Sequence, residues 1–205
     1  MKTLKIYESI AEFIHYRETH LVGKKIGFVP TMGALHAGHA SLLQKSNQEN
    51  EITILSIYVN PTQFNNMEDL EKYPRPLEAD LEKLEVAGCD VVFIPSVKEM
   101  YPTPSQLKFD FGSLEDILEG EFRPGHFNGV GIVVSKLFNI IRPNKAYFGQ
   151  KDLQQCAIIN RLVQDLSFPI SLVFCDTIRE TDGLAMSSRN ERLRPMFRDV
   201  ASFIY

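Results

Sequence analysis

Lys25-Ile26-Gly27-Phe28-Val29-Pro30-Thr31-Met32-Gly33-Ala34-Leu35-His36-Ala37-Gly38-His39 is an apolar run that ends in a glycine-bearing loop with two histidines. Lys25–Pro30 reads as a strand buried on both faces, and Gly38–Asn50 behind the loop has the spacing of an amphipathic helix. A strand that hands over to a helix through glycines presents free N–H groups at the sheet's carboxyl edge, a place that favours an anion. The spacing nearly matches a P-loop, Gly-x4-Gly-Lys-Ser/Thr, but His39 and Ala40 stand where the lysine and the metal-binding hydroxyl belong. Such a loop therefore lacks both its point charge and its metal ligand. What remains is His36-Ala37-Gly38-His39, two imidazoles at a helix start that can donate to phosphate oxygens and stabilise charge developing there. The alternatives are two unrelated loop histidines or a zinc pair, and for zinc no further Cys, His or carboxylate is spaced locally to complete a site.

Working outward, strand-like runs recur at Ile52–Val59, Asp90–Pro95, Ala146–Phe148 and Ile170–Cys175. Helix-length amphipathic stretches separate them at Pro76–Ala87, Gly129–Ile141 and Leu153–Leu166. A further helix is expected from Ser9, where Ser9-Ile10-Ala11-Glu12 has capping-box form. Strand–helix alternation with continuous apolar strands predicts a parallel sheet covered on both faces, with ligands at the carboxyl ends of its strands. Loops are expected at Asn60–Pro76, Tyr101–Gly112 and Gly120–Gly131, and a polar loop at Thr177–Asn190. Glu191–Tyr205 reads as one helix. A lone helix after a finished sheet suggests residues 1–176 as one domain and 177–205 as the start of a second that these residues do not complete.

The chain has 205 residues with a net charge of −4, so it offers no electrostatic footprint for nucleic acid, and no apolar run approaches a membrane span. Cys89, Cys156 and Cys175 are far apart and sit in or beside apolar runs, which reads as buried reduced thiols in a cytoplasmic protein.

Four further segments carry polar groups at expected strand ends. Asn60-Pro61-Thr62-Gln63-Phe64 ends the second strand and leaves an amide, Gln63, at the sheet edge, where it can bond a hydroxyl and a carboxylate without adding charge. Arg123-Pro124-Gly125-His126 precedes a helix; Arg123 is a candidate anion contact or a solvated loop charge, and His126 reads as structural. In Gly149-Gln150-Lys151-Asp152-Leu153-Gln154-Gln155, Lys151 offers a mobile cation, Asp152 a helix cap or a ribose contact, and Gln155 the same helix side as Asp152. Asp182-Gly183-Leu184-Ala185-Met186-Ser187-Ser188-Arg189 places two hydroxyls and a guanidinium on one loop, a set suited to polyphosphate. Asp80 reads as a solvated helix residue, with magnesium ligation as the alternative.

The histidine loop resembles the "HIGH" signature of a nucleotidyltransferase superfamily, and Ser187-Ser188-Arg189 resembles its mobile "KMSKS" loop. Pro30-Thr31-Met32-Gly33-Ala34-Leu35-His36-x-Gly38-His39, with the other segments in order, resembles the pantoate–β-alanine ligase family over almost the whole chain. The resemblance implies a Rossmann-like, doubly wound parallel sheet with helices on both faces, followed by the start of an incomplete C-terminal lid domain. It implies an ATP-dependent ligase that joins pantoate to β-alanine through an acyl adenylate, with magnesium, as a cytoplasmic homodimer. It assigns Met32 to His39, Gly149 to Asp152, Ile178 and Met186 to Arg189 to ATP. It gives His36, His39 and Lys151 the catalytic role, and places pantoate and β-alanine at Asn60, Gln63, Arg123 and Gln155. Rival readings are transfer of a nucleotidyl group to a phosphate ester and a nucleotide-binding module without catalysis.

Overall fold

The computed structural model describes residues 3–190 and 193–204, without the side chain of 204. Among the described residues six strands form one sheet: β1 (Lys5–Tyr7), β2 (Ile26–Thr31), β3 (Ile52–Ile57), β4 (Val91–Phe93), β5 (Lys145–Gly149) and β6 (Ser171–Cys175). Their order is β1-β4-β3-β2-β5-β6, and every pairing is parallel. The helices are α1 (Ile10–His20), α2 (Ala37–Glu49), α3 (Met67–Glu71), α4 (Leu77–Val86), α5 (Val97–Met100), α6 (Glu119–Phe122), α7 (His126–Ile141), α8 (Leu153–Asp165) and α9 (Pro195–Ala201).

The period of two along the strands divides the core into two layers. On β2, Phe28 packs with α1, α7 and α8 through Phe13, Phe138 and Ile158, whereas its neighbour Val29 packs with α2 and α4 through Leu43 and Leu84. This is the expected doubly wound, Rossmann-like sheet. From β2 the chain steps one way to β3 and β4, then returns to place β5 on the other side of β2. Connections that leave in opposite directions open a crevice at the carboxyl ends of β2 and β5, and both of those ends carry candidate residues.

The four main helices and five strands lie within a few residues of their expected bounds, with α1 capped by Ser9 accepting from the Glu12 N–H. Corrections fall on short or irregular pieces. β1 is a sixth strand, too short for a periodic signal. The expected loop Asn60–Pro76 contains a 3-10 turn at Pro61–Gln63 and α3. α7 starts at His126 rather than Gly129, because Gly125 at φ 80° turns the chain into it. The final helix is shorter than Glu191–Tyr205: among the described residues it starts at Pro195, a favoured first helical position, and Arg194 before it is extended. Glu191, Arg192 and Tyr205 lie outside the described residues. Thr177–Asn190 is more than a loop. Arg179 and Ala185 form an antiparallel bridge, and Met186 N–H donates to Ile178 O at 3.0 Å, so the segment folds back as a small hairpin.

Candidate active site

An open cleft with a cavity volume of about 190 Å³ occupies the crevice between the ends of β2 and β5. Its wall includes Met32, His36 and His39 after β2, Gln63 after β3, Arg123 before α7, Lys151, Asp152 and Gln155 after β5, and Ser187, Ser188 and Arg189 from the hairpin. Eleven expected residues from five segments thus converge on one space.

The two histidines owe their orientation to helix capping. Residue 36 is the N-cap of α2, extended at φ −135°, and its Nδ1 accepts from Gly38 N–H at 3.1 Å. His39 Nδ1 accepts from His36 N–H at 3.3 Å, which completes a reciprocal capping box built of imidazoles. With both Nδ1 atoms used as acceptors, both neutral rings are assigned as Nε2–H tautomers, and each keeps one donor for the cleft. Burial, the adjacent His36 imidazole, Lys151 and Lys83 together pull His39 down to about 3. Burial and Lys151 also hold His36 below the ordinary imidazole value. The pair is therefore an uncharged set of donors in the cleft wall. Between the unfolded value of 6.5 and about 3, the unfolded chain binds a proton at residue 39 that the folded chain refuses. This contribution to stability is complete above 6.5 and shrinks as the solution is acidified through that window. In an NMR titration the His39 C2–H signal is expected to show no inflection between about pH 5 and 8, and a midpoint near the free imidazole value would overturn the assignment.

The loop before these rings is pinned from below. Asp80 of α4, only 1% exposed, accepts Ala34 N–H at 2.7 Å and Leu35 N–H at 2.8 Å, while Lys83 Nζ donates to Leu35 O at 2.7 Å. Gly33 and Ala34 are both left-handed, at φ 80° and 50°, a conformation that alanine rarely takes unless held there. This corrects the reading of Asp80 as a solvated residue. Its oxygens are buried on backbone, and among the described residues no cluster of three His, Cys, Asp or Glu is placed to hold a metal. The Ala34 and Leu35 N–H groups are likewise committed to protein. Gly33, Ala34, Leu35, Ala37 and Gly38 shape the loop, whereas Met32 and the two histidines form the wall.

Gln63 is 8% exposed and held in the 3-10 turn after β3. Asn60 is a support rather than a wall residue: it is 1% exposed, and its Nδ2 donates to Gln63 Oε1 at 3.2 Å and to Gly129 O at 3.1 Å. α7 meets this turn closely, since a Cβ on Gly129 would lie 2.3 Å from Thr62 O and 2.7 Å from Gln63 N. Gly129→Ala is expected to destabilise the fold by about 1–3 kcal/mol in urea unfolding, as overpacking against rigid backbone does; unchanged stability would refute the close contact.

Around Lys151 the chain makes a 3-10 turn, and Asp152 occupies the N-cap of α8 without a side-chain cap bond, its Oδ1 3.6 Å from Lys151 Nζ. The capping reading of Asp152 is therefore replaced by this cation contact. Gly149, Gln150, Ile178 and Met186 lie off the wall, and Ile178 O is spent on the hairpin. Arg189 Nη2 reaches Asp69 of α3 at 2.8 Å, and its guanidinium lies 6.0 Å from the Tyr73 ring centre.

Several wall residues carry no motif. Val130, Val133, Val134, Leu137 and Phe148 give the cleft an apolar side, which the strongly apolar α7 sequence hinted at without showing that it faced a ligand. Tyr58 also lines the cleft; it is 5% exposed, its hydroxyl finds no partner among the described residues, and burial pushes its phenol well above the usual range. Glu119 and His126 complete the wall beside Arg123.

A family model described as pantoate-beta-alanine ligase matches residues 5–205. The pantothenate synthetase of Cytophaga hutchinsonii is 55% identical over 192 residues, 94% of this chain and 68% of that protein. That of Bacteroides fragilis is 56% identical over 179 residues, 87% of this chain and 64% of that protein. The chain thus spans about two thirds of the length of these curated relatives. Among solved structures, pantoate-beta-alanine ligase from Francisella tularensis, complexed with beta-gamma ATP and beta-alanine, superposes with a TM-score of 0.95 at 44% identity, covering 99% of this chain and 78% of that one. Identity at this level over nearly the whole chain, with the cleft at the same fold's switch point, shows that this chain belongs to the pantoate–β-alanine ligase family.

Proposed function

We propose that the cleft binds ATP and pantoate, joins them as pantoyl adenylate, and passes the acyl group to β-alanine to give pantothenate. The observation that carries this reading is the convergence of uncharged imidazole donors, Lys151 and Arg189 with two amides and an apolar wall in one cleft. In the first step the pantoate carboxylate attacks the α-phosphorus and pyrophosphate leaves. In the second the amine attacks the acyl carbon and AMP leaves. Neither step needs a protein nucleophile, so catalysis rests on placing two anions together and offsetting their charge.

His36 and His39 would each aim an Nε2–H at the phosphate oxygens, Lys151 would bring the positive charge, and Arg189 with Ser187 and Ser188 would close from the hairpin. Gln63 and Gln155 would hold the hydroxyls and carboxylate of pantoate, whose branched carbon suits Val133, Val134 and Leu137. An apolar wall also keeps water from the adenylate. Asp152 would meet the ribose. Magnesium, when bound, belongs on phosphate oxygens, where it offsets their charge. Residues 1–176 form the substrate-binding domain on this reading, with 177–205 the beginning of a lid region. A homodimer and a cytoplasmic setting follow from the family resemblance.

The experiment is pantoate-dependent ATP–pyrophosphate exchange on this chain. Exchange that requires pantoate is expected; ATP binding without it would reduce the chain to a nucleotide-binding module.

A further inference from the structure

Among the described residues that line the cleft, two are carboxylates, Asp152 and Glu119. Asp152 stands beside Lys151, where it tempers a cation. Glu119 is harder to place. The proposed reaction brings two anions into this cleft, and a carboxylate on its wall opposes both unless it meets a cation of its own.

The structure holds Glu119 with care. Its N–H donates to Gln154 Oε1 at 2.9 Å, and Gln154 Nε2 ties down Leu114 O and Ile117 O, both at 2.7 Å. Leu118 before it is left-handed at φ 51°, a conformation that costs a branched residue energy and tends to occur where function requires it. Arg123 Nη1 donates to Glu119 Oε1 at 2.5 Å and its Nη2 lies 3.4 Å from Gln63 O, while His126 Nδ1 sits 2.7 Å from that same oxygen. Burial lowers the His126 pKa, so Arg123 supplies the positive charge of the group. The Glu119 side chain is still 39% exposed. A carboxylate and a guanidinium thus stand side by side on the wall that carries Gln63.

We infer that Glu119 receives the ammonium group of β-alanine, with Arg123 facing its carboxylate. This rests on the proposed function. A short zwitterion laid along the pair meets both charges in opposite order, which neither anionic substrate can do.

The test separates the two half-reactions. In E119Q the KM for β-alanine is expected to rise about ten- to a hundredfold, the loss typical of a hydrogen bond to a charged group. Pantoate-dependent exchange, which needs no amine, is expected to fall far less, as is trapping of the adenylate by hydroxylamine, a neutral nucleophile. E119D keeps the charge and should recover part of the KM. If exchange and the β-alanine step fall together, Glu119 is only the structural counterion of Arg123 and the inference is wrong. An unchanged KM would also overturn it. Absence of exchange in the unmodified chain would instead sink the proposed function, and this inference with it.

Discussion

Lys151→Ala is expected to slow pantoate-dependent pyrophosphate exchange by about 10²–10³-fold, the effect of removing one preorganised charged donor from a developing oxyanion. The size of the loss follows from the state of its neighbours. His39 is pulled down to about 3 and His36 is also lowered, so neither ring carries the positive charge that ATP needs. Arg189 is held by Asp69 at 2.8 Å, whereas Lys151 meets Asp152 only at 3.6 Å, so Lys151 is the more available of the two cations on the cleft wall. Its side chain is 35% exposed and packs little, so the melting transition is expected to stay in place while exchange collapses. Exchange that survives within about tenfold would show that the charge is supplied elsewhere.

The second large effect is predicted for a residue that touches no ligand. Asp80→Ala removes the acceptor of two N–H groups, Ala34 at 2.7 Å and Leu35 at 2.8 Å. Each buried donor left without a partner is expected to cost about 1–3 kcal/mol, and the left-handed backbone at Ala34 loses what holds it. Urea unfolding should register the sum. ATP affinity should fall as well, since the freed loop carries both imidazoles. Asp80→Asn, which keeps one acceptor oxygen, is expected to lie between the two. A variant as stable as the parent, with unaltered ATP affinity, would refute the anchoring role.

The contrast between these residues shows how far the sequence could be read. The long elements were legible from their patterns: β2 and β3 are mostly apolar and bounded by polar turns, α8 places its apolar residues on one side, and α7 is apolar round most of its circumference. Lys151, His36, His39 and Gln63 were legible because they stand where a strand must end. Asp80 was not, because its position in Leu77–Val86 resembles that of any surface helix carboxylate; only the fold brings it under a loop some 45 positions away. Asn60 failed in the opposite sense, since its motif pointed to a ligand while its amide is used to brace Gln63. Glu119 and Tyr58 belong to no motif at all, and their place on the wall depends on how α6 and β3 meet α7.

The contact between Arg189 and Asp69 has a consequence for how nucleotide enters. If Arg189 serves as a clamp, ATP does not meet a bare guanidinium; it displaces an internal competitor. Binding then becomes ion exchange, in which one anion leaves as another arrives. Removing the competitor, as in Asp69→Asn, would tighten the grip instead of loosening it, and added salt would weaken the outgoing and the incoming partner together.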